Sequence, residues 1–182
     1  HLAEAETDAT FHFEIKADLL TENVLNFLKT VPKGRFQFEI GVQTTNAATL
    51  KAINRRDNWE KLTANVKRLL SYGNIHLHLD LIAGLPYEGM AEFEKSFNDV
   101  YGLQPDMLQL GFLKVLPGTA MEKQRLEHEL RYMDEPPYEI LSTKYMPYCA
   151  LRFLKVLEDV FEHTYNSGRF VYTLKYLTEA EG

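Results

Sequence analysis

The chain has 182 residues, 45% of them hydrophobic and 25% charged, with a formal net charge of −6. This composition is that of one globular domain with a sizeable core. No apolar run approaches the ~18 residues of a membrane span, and the acidic balance argues against a broad nucleic-acid face.

The opening "HLAEAETDAT" has neither the basic nor the apolar region of a signal peptide. Cys149 is the one cysteine. It excludes an internal disulfide framework and points to a cytoplasmic location. A single thiol also cannot hold an iron–sulfur cluster, which takes about four ligands. The start runs straight into a strand, so a piece of a longer protein is expected.

In chain order, "FHFEIKA" (11–17) reads as a strand. A helix follows from Thr21, a good N-cap, with Val24, Leu25 and Leu28 on one stripe. "FQFEIGVQ" (36–43) is the second strand. Asn46 caps a short helix carrying Leu50 and Ile53. A longer helix covers 58–72, with Trp59, Leu62, Val66, Leu69 and Leu70 on one face and Gly73 as its stop. "IHLHLDLI" (75–82) is the third strand. A helix over 89–102 follows, then a strand over 106–115. Leu116-Pro117-Gly118-Thr119 leads into a helix with Met121 and Leu126. Strands alternating with helices imply a parallel sheet with crossover helices.

Beyond residue 134 the pattern changes at Pro136-Pro137. Helices are expected over 138–145, from Pro147 at a first helical position to 165, and again after Ser167-Gly168. The predicted organisation is α/β. A partial (β/α) TIM-type barrel of parallel strands spans 1–134, and an all-helical carboxyl-terminal tail spans 135–182.

Strand side chains alternate between faces. Phe11, Phe13 and Ile15 oppose His12, Glu14 and Lys16. Phe36, Phe38, Ile40 and Val42 oppose Gln37, Glu39, Gly41 and Gln43. Leu77, Leu79, Leu81 and Ala83 oppose His76, His78, Asp80 and Ile82. A doubly wound sheet buries both faces and would be apolar throughout. Here the polar face looks into a wet or occupied space, the lumen of a part-barrel. Polar groups there need partners or a ligand, which puts a site at the carboxyl ends of the strands. An antiparallel sheet with one wet face explains the alternation but not the helix-length connections.

His76 and His78 form an H-x-H pair that could begin a metal site, but no third ligand accompanies them. Polar lumen residues satisfied by neighbours are the simpler reading. Lys114 shares its register with Leu108, Leu110 and Phe112, on the helix side. Lys16 is read as an ion pair with Glu14. Gly84-Leu85-Pro86 ends the third strand abruptly. Glycine there lets a flat ligand approach the backbone, and proline fixes the turn. Asp80, on the lumen face just before it, can take hydroxyl or amine hydrogen bonds.

Together, "FEI" (13–15), "GVQTTNAATLKAINRRD" (41–57) and "LDLIAGLPYEG" (79–89) resemble strands three to five of a radical S-adenosylmethionine barrel, and residues 1–134 are expected to hold about strands three to six. The resemblance is to the oxygen-independent coproporphyrinogen oxidase branch and the cobalamin-binding Fe–S oxidoreductases. It implies an enzyme using S-adenosylmethionine and a [4Fe–4S] cluster, with cobalamin as a further cofactor of some members. Reductive cleavage of S-adenosylmethionine then gives a 5′-deoxyadenosyl radical that abstracts hydrogen from substrate.

By the same resemblance Glu14 lies near the ribose and methionyl amine, and Gln43 bonds the ribose. Arg55 pairs with the methionyl carboxylate, with Arg56 as the adjacent alternative. Asp80 is a further acid, and Ile82, Gly84, Leu85 and Pro86 face the adenine. Read alone, Arg55 is a surface cation at a helix end. The family's C-x3-C-x2-C motif is absent, so the cluster ligands are expected upstream and the chain alone is expected to be inactive. The missing amino-terminal part is the expected partner, and self-association through the open strand edge is expected in its absence. The rivals are another barrel enzyme, such as a metal hydrolase using His76 and His78 or a lyase, and a non-catalytic binding domain.

Overall fold

A computed structural model describes residues 1–181. Strands β1 (Phe11–Glu14), β2 (Phe36–Gln43), β3 (His76–Ala83) and β4 (Met107–Phe112) form one parallel sheet in the order β1-β2-β3-β4. Parallel neighbours cannot be joined by hairpins. Helices make the connections: α1 (Glu22–Leu28), then α2 (Ala47–Ala52) and α3 (Trp59–Tyr72), then α4 (Met90–Tyr101). Their starts are fixed by side-chain caps. Thr21 accepts from the Val24 N–H, Asn46 from Ala48 and Asn58 from Lys61. Each such cap contributes about 1 kcal/mol.

The alternation decides which face is covered. Phe36, Phe38, Ile40 and Val42 of β2 are buried with Leu77, Leu79, Leu81 and Ala83 of β3. They meet Leu25 of α1, Leu62, Val66 and Leu69 of α3, and Phe93 and Val100 of α4. Full burial of one such leucine contributes roughly 1.5–3 kcal/mol. On the other face, the register lines up Glu14, Glu39 and His78 in one row. Gly41, Asp80 and Gln109 form the next row toward the carboxyl ends.

Two strands are shorter than expected. β1 ends at Glu14, and a 3-10 turn follows at Ala17–Leu19. β4 ends at Phe112, and Leu113 is buried as well, so the alternation breaks there.

The part after β4 departs further. The helix α5 is only Ala120–Lys123, and Leu126 is 84% exposed instead of joining a core stripe. The helix expected over 138–145 does not form. Strand β6 (Ile140–Ser142) pairs antiparallel with β5 (Arg131–Tyr132). The reason is the exposed backbone beyond β4: Ile140 N–H donates to Leu113 O, and Val115 N–H donates to Tyr138 O. A helix here would leave those groups without partners.

From Tyr148 onward the tail is helical as expected. Helix α6 (Tyr148–Phe161) runs into a π-helical turn at Glu162–Asn166, and α7 (Val171–Glu181) follows. Pro147 stands just before α6 as its N-cap, not inside it.

The tail covers one edge of the sheet. Leu108 N–H donates to Asn166 Oδ1, and Asn166 Nδ2 donates to Leu108 O, each at 3.0 Å. One amide side chain thus imitates a neighbouring strand on β4. Among the described residues no strand pairs on the outer side of β1.

Gly84 joins tail to barrel. Its φ is +87°, and a Cβ there would stand 2.7 Å from Ile140 Cγ2. Gly84→Ala is therefore expected to destabilise the chain by roughly 1–3 kcal/mol through backbone strain and clash. Urea unfolding measures it. Ile140→Ala in the same chain should recover the steric part only.

Candidate functional site

The polar face opens into two adjoining cavities. The first, of about 340 Å³, is lined by Glu14, Ile15, Lys16, Glu39, Gly41, Gln43, Arg55 and Asp80. The second, of about 550 Å³, shares Glu39, Gln43 and Asp80. It extends past Ile82 and Gln109 to Lys114, Glu139, Lys155 and Glu158.

Glu14, Gln43, Arg55 and Asp80, scattered over 67 positions of sequence, thus converge on one space. Ile82 lines the neighbouring one. Gly84, Leu85 and Pro86 line neither. All three are buried, Ile140 stands against Gly84, and Pro86 O accepts from Thr49 Oγ1 at 2.8 Å. The room expected for a flat ligand over Gly84 is filled by the chain's own tail.

The end of β2 is shaped by a break in register. The pairing with β3 slips between Gly41 and Gln43, and Gln43 has φ +69°. Its amide then folds back over Gly41, where any Cβ would collide with Nε2.

Arg55 reaches the same place from beyond α2. Its Nη2 donates to Gly41 O and its Nε to Asp57 Oδ2. Two of the five N–H donors of a guanidinium are engaged, and the others stay available for a ligand carboxylate.

Asp57 also pairs with Lys16 Nζ, which donates to Arg56 O at 3.1 Å. The Lys16–Glu14 pair expected from the sequence does not form, because the 6% exposed Asp57 takes the ammonium. Burial alone would raise the Asp57 pKa. Hydrogen bonds and charge from Lys16 and Arg55 outweigh it and hold the carboxyl below its usual range.

The acidic row is perturbed in the opposite sense. Asp80 is pushed up to about 7, first by burial, then by the charge and hydrogen bonding of Glu39, then by Glu14. His12 Nε2 stands 3.0 Å from Glu39 Oε2. His78 Nε2 stands 3.2 Å from Asp80 Oδ1, without hydrogen-bonding geometry, and both ring nitrogens of this buried histidine lack a partner. Burial also pushes His78 down; the charge of Glu39 and the neighbouring Gln109 side chain oppose this, while His76 and His12 add to it. His76 is exposed, and among the described residues no group of three His, Cys, Asp or Glu side chains could hold a metal ion. Lys114 lines the second cavity instead of the helix side, following the break in alternation at Leu113.

Behind the cavities a polar clamp ties the β2–α2 loop to the β3–α4 loop. Thr44 Oγ1 donates to Glu88 Oε1 at 2.5 Å, and Ser96 Oγ lies 3.2 Å from the same oxygen. Thr45 N–H donates to Ser96 Oγ at 3.0 Å, and Asn46 Nδ2 donates to Tyr87 O at 2.8 Å. Glu88 is fully buried, and burial pushes its pKa to about 7 against the two hydroxyl bonds. Its neighbour Tyr87 packs on His128 and Tyr145 of the tail. Sequence reading passes over Glu88 because an acid two residues after a proline turn looks solvated.

A family model described as "Radical SAM superfamily" matches residues 1–100. The chain belongs to this superfamily. A second model, described as "Protein of unknown function (DUF4080)", matches residues 126–181. Among curated relatives, the oxygen-independent coproporphyrinogen-III oxidase-like protein HemZ of Bacillus subtilis is 26% identical over 152 residues. That match covers 80% of this chain and 30% of the relative. The heme chaperone HemW of the same organism is 29% identical over 138 residues, covering 74% and 36%. In structure, coproporphyrinogen III oxidase (HemN) from Escherichia coli aligns with a TM-score of 0.60 at 23% identity. It covers 86% of this chain and 32% of that one. The radical S-adenosylmethionine methyltransferase TsrM of Kitasatospora setae, solved with cobalamin and a [4Fe–4S] cluster, gives 0.62 at 14% identity, covering 85% and 37%. These likenesses concern the fold. The chain spans about a third of the length of the relatives it matches.

The sheet is thus a radical SAM part-barrel, and its two raised carboxyls carry a pH signature. Glu88 and Asp80 hold their protons more tightly folded than unfolded. Stability from this source is full below the ordinary carboxyl range and falls as pH rises through about 7. Asp57, held low, acts only in acid. Thermal unfolding should show a lower midpoint at pH 8 than at pH 6, with a smaller difference in Glu88→Gln. Equal slopes in both proteins would show that Glu88 is already ionised in the fold.

Proposed function

We propose that the smaller cavity is the S-adenosylmethionine pocket of a radical S-adenosylmethionine Fe–S oxidoreductase. The observation that carries this is the convergence of Glu14, Gln43, Arg55 and Asp80 on one space at the carboxyl end of the sheet. The chemistry of the donors fits the ligand. Acids suit its sulfonium and amine, an amide and an acid suit the ribose hydroxyls, and the remaining N–H groups of Arg55 suit its carboxylate. When bound and reduced by one electron, S-adenosylmethionine supplies the chemistry that removes hydrogen from a substrate.

The chain's residues act around it. Asp57 and Lys16 hold the Arg55 guanidinium across the mouth of β2. The Glu88 clamp ties together the loops that follow β2 and β3, the strands that carry Gln43 and Asp80. The second cavity, reaching Lys114 and Lys155, is the substrate side of the same lumen.

A [4Fe–4S] cluster does not fit the residues present. Cys149 is the one thiol, exposed at the start of α6. A cluster would need thiolates that these 182 residues do not contain, so no step is derived through it. Cobalamin likewise has no residue of this chain assigned to it.

Titration with S-adenosylhomocysteine tests the pocket. Arg55→Ala and Gln43→Ala should each weaken binding, Arg55→Ala by roughly 10- to 100-fold. Unchanged affinity in both would remove the pocket. The open outer edge of β1 is the proposed docking place for further barrel strands, or for a second copy where they are lacking. Light scattering of the chain should then show association that grows with concentration; a monomer at every concentration counts against it.

A further inference from the structure

Helix α6 has two unlike faces. On one, Leu151 and Leu154 are buried in the core, and Lys155 and Glu158 line the second cavity. On the other stand Cys149, Phe153, Val156 and Val160. Cys149 is exposed, and the other three are 57%, 58% and 51% exposed. A single exposed apolar residue is ordinary. Here the steps between them are four, three and four residues, which return to one side of a helix. That spacing is the seam of a helix pair, with Phe153 and Val160 at position a of a heptad and Cys149 and Val156 at position d.

The flanks of the stripe say which partner fits. Arg152 and Asp159 occupy the two g positions, one heptad apart and opposite in sign. Ala150 and Leu157 occupy e and pack partly against the chain's own core. Among the described residues Arg152 has no ion pair. The Asp159 carboxylate meets His163 at 3.6 Å, with both side chains 76% exposed, a kind of pair that contributes little.

A second α6 laid antiparallel about a two-fold axis satisfies both features. Phe153 then meets Val156 of the second copy, and Val160 meets its Cys149. The same axis sets Arg152 opposite Asp159 twice, as an interface between identical surfaces requires. A parallel pair would set g against e, and Arg152 would face Leu157 with no charge to meet.

We propose that α6 pairs antiparallel with α6 of a second copy of this chain through Phe153, Val156 and Val160, in a register fixed by two Arg152–Asp159 pairs. The stripe is about 16 Å long at a rise of 1.5 Å per residue. It buries less than a standard interface, so the pair is transient and forms as concentration rises. Lys155 and Glu158 turn away from the stripe, and the second copy braces the helix that carries them into the second cavity.

Sedimentation equilibrium at low salt measures the pairing. Every substituted position is exposed, so the fold should be retained. Phe153→Glu should weaken association by roughly tenfold or more. Arg152→Asp and Asp159→Arg should each weaken it several-fold, because each sets like charges opposite one another. An equimolar mixture of these two variants should recover it, since every facing pair is then of opposite sign. In Val160→Cys, mild oxidation should give a dimer whose disulfide joins Cys149 of one copy to position 160 of the other. Within one helix those positions are about 16 Å apart, too far for a bond.

Association unchanged in Phe153→Glu, as contact through the β1 edge would give, overturns the inference. A mixture that associates no better than its two components overturns it as well, as does a disulfide that joins the two copies through Cys149 alone. A chain that stays monomeric and binds phosphatidylcholine vesicles through Phe153 would assign the stripe to a lipid surface instead.

Discussion

A parallel sheet covered by helices on one face only sets the terms for everything else in this molecule. Its strands must alternate strictly, because a slip of one residue would carry Leu77, Leu79 and Leu81 into the lumen and His78 and Asp80 into the core. The core fixes the register, and the register fixes the rows of acids. Glu14, Glu39 and His78 are neighbours because Phe38 and Leu77 are buried beside them and Phe13 packs against the same core. The polar face is thus positioned by apolar packing, and its like charges are held at a proximity they would not choose.

Relief comes at the ends of the strands, where the pattern is broken in defined ways. β2 slips at Gly41–Gln43, and that slip lets the Gln43 amide and the Arg55 guanidinium meet over a backbone without a Cβ. Asp57 then binds both Lys16 and Arg55, so the cations of this region are neutralised by a residue outside the acidic row. The row keeps its unbalanced negative charge, and burial with like charge raises Asp80. One arrangement thus leaves Arg55 with donors to offer beside a row of acids.

Much of this was legible in the sequence because its causes are local. Thr21, Asn46 and Asn58 cap their helices through bonds that span two or three residues. Alternation in "FQFEIGVQ" and "IHLHLDLI" names the two faces without any knowledge of the neighbours. The misreadings share the opposite property. Within residues 138–145 a strand forms at Ile140–Ser142 because Leu113 and Val115, more than twenty positions earlier, offer unpaired backbone groups. Gly84 serves Ile140, and Lys16 serves Asp57, across comparable distances. Glu88 has no local signal, since its burial depends on Thr44 and Ser96 arriving from two other elements.

The tail deserves a physical role of its own in this scheme. It fills the place beside β4 where an open strand edge would lie: Asn166 satisfies Leu108 there, and Tyr138 and Ile140 extend the pairing upward. The same tail packs Ile140 on Gly84, sets His128 and Tyr145 against Tyr87, and brings Lys155 over Phe112 at 4.1 Å. All of these contacts fall at the carboxyl ends of β3 and β4, around the loop that follows Asp80. A change in how the tail sits would therefore reach Asp80 through the three residues of β3 that separate it from Gly84. The segment that borders the second cavity is thus joined by packed contacts to the loop that follows the acid shared by both cavities.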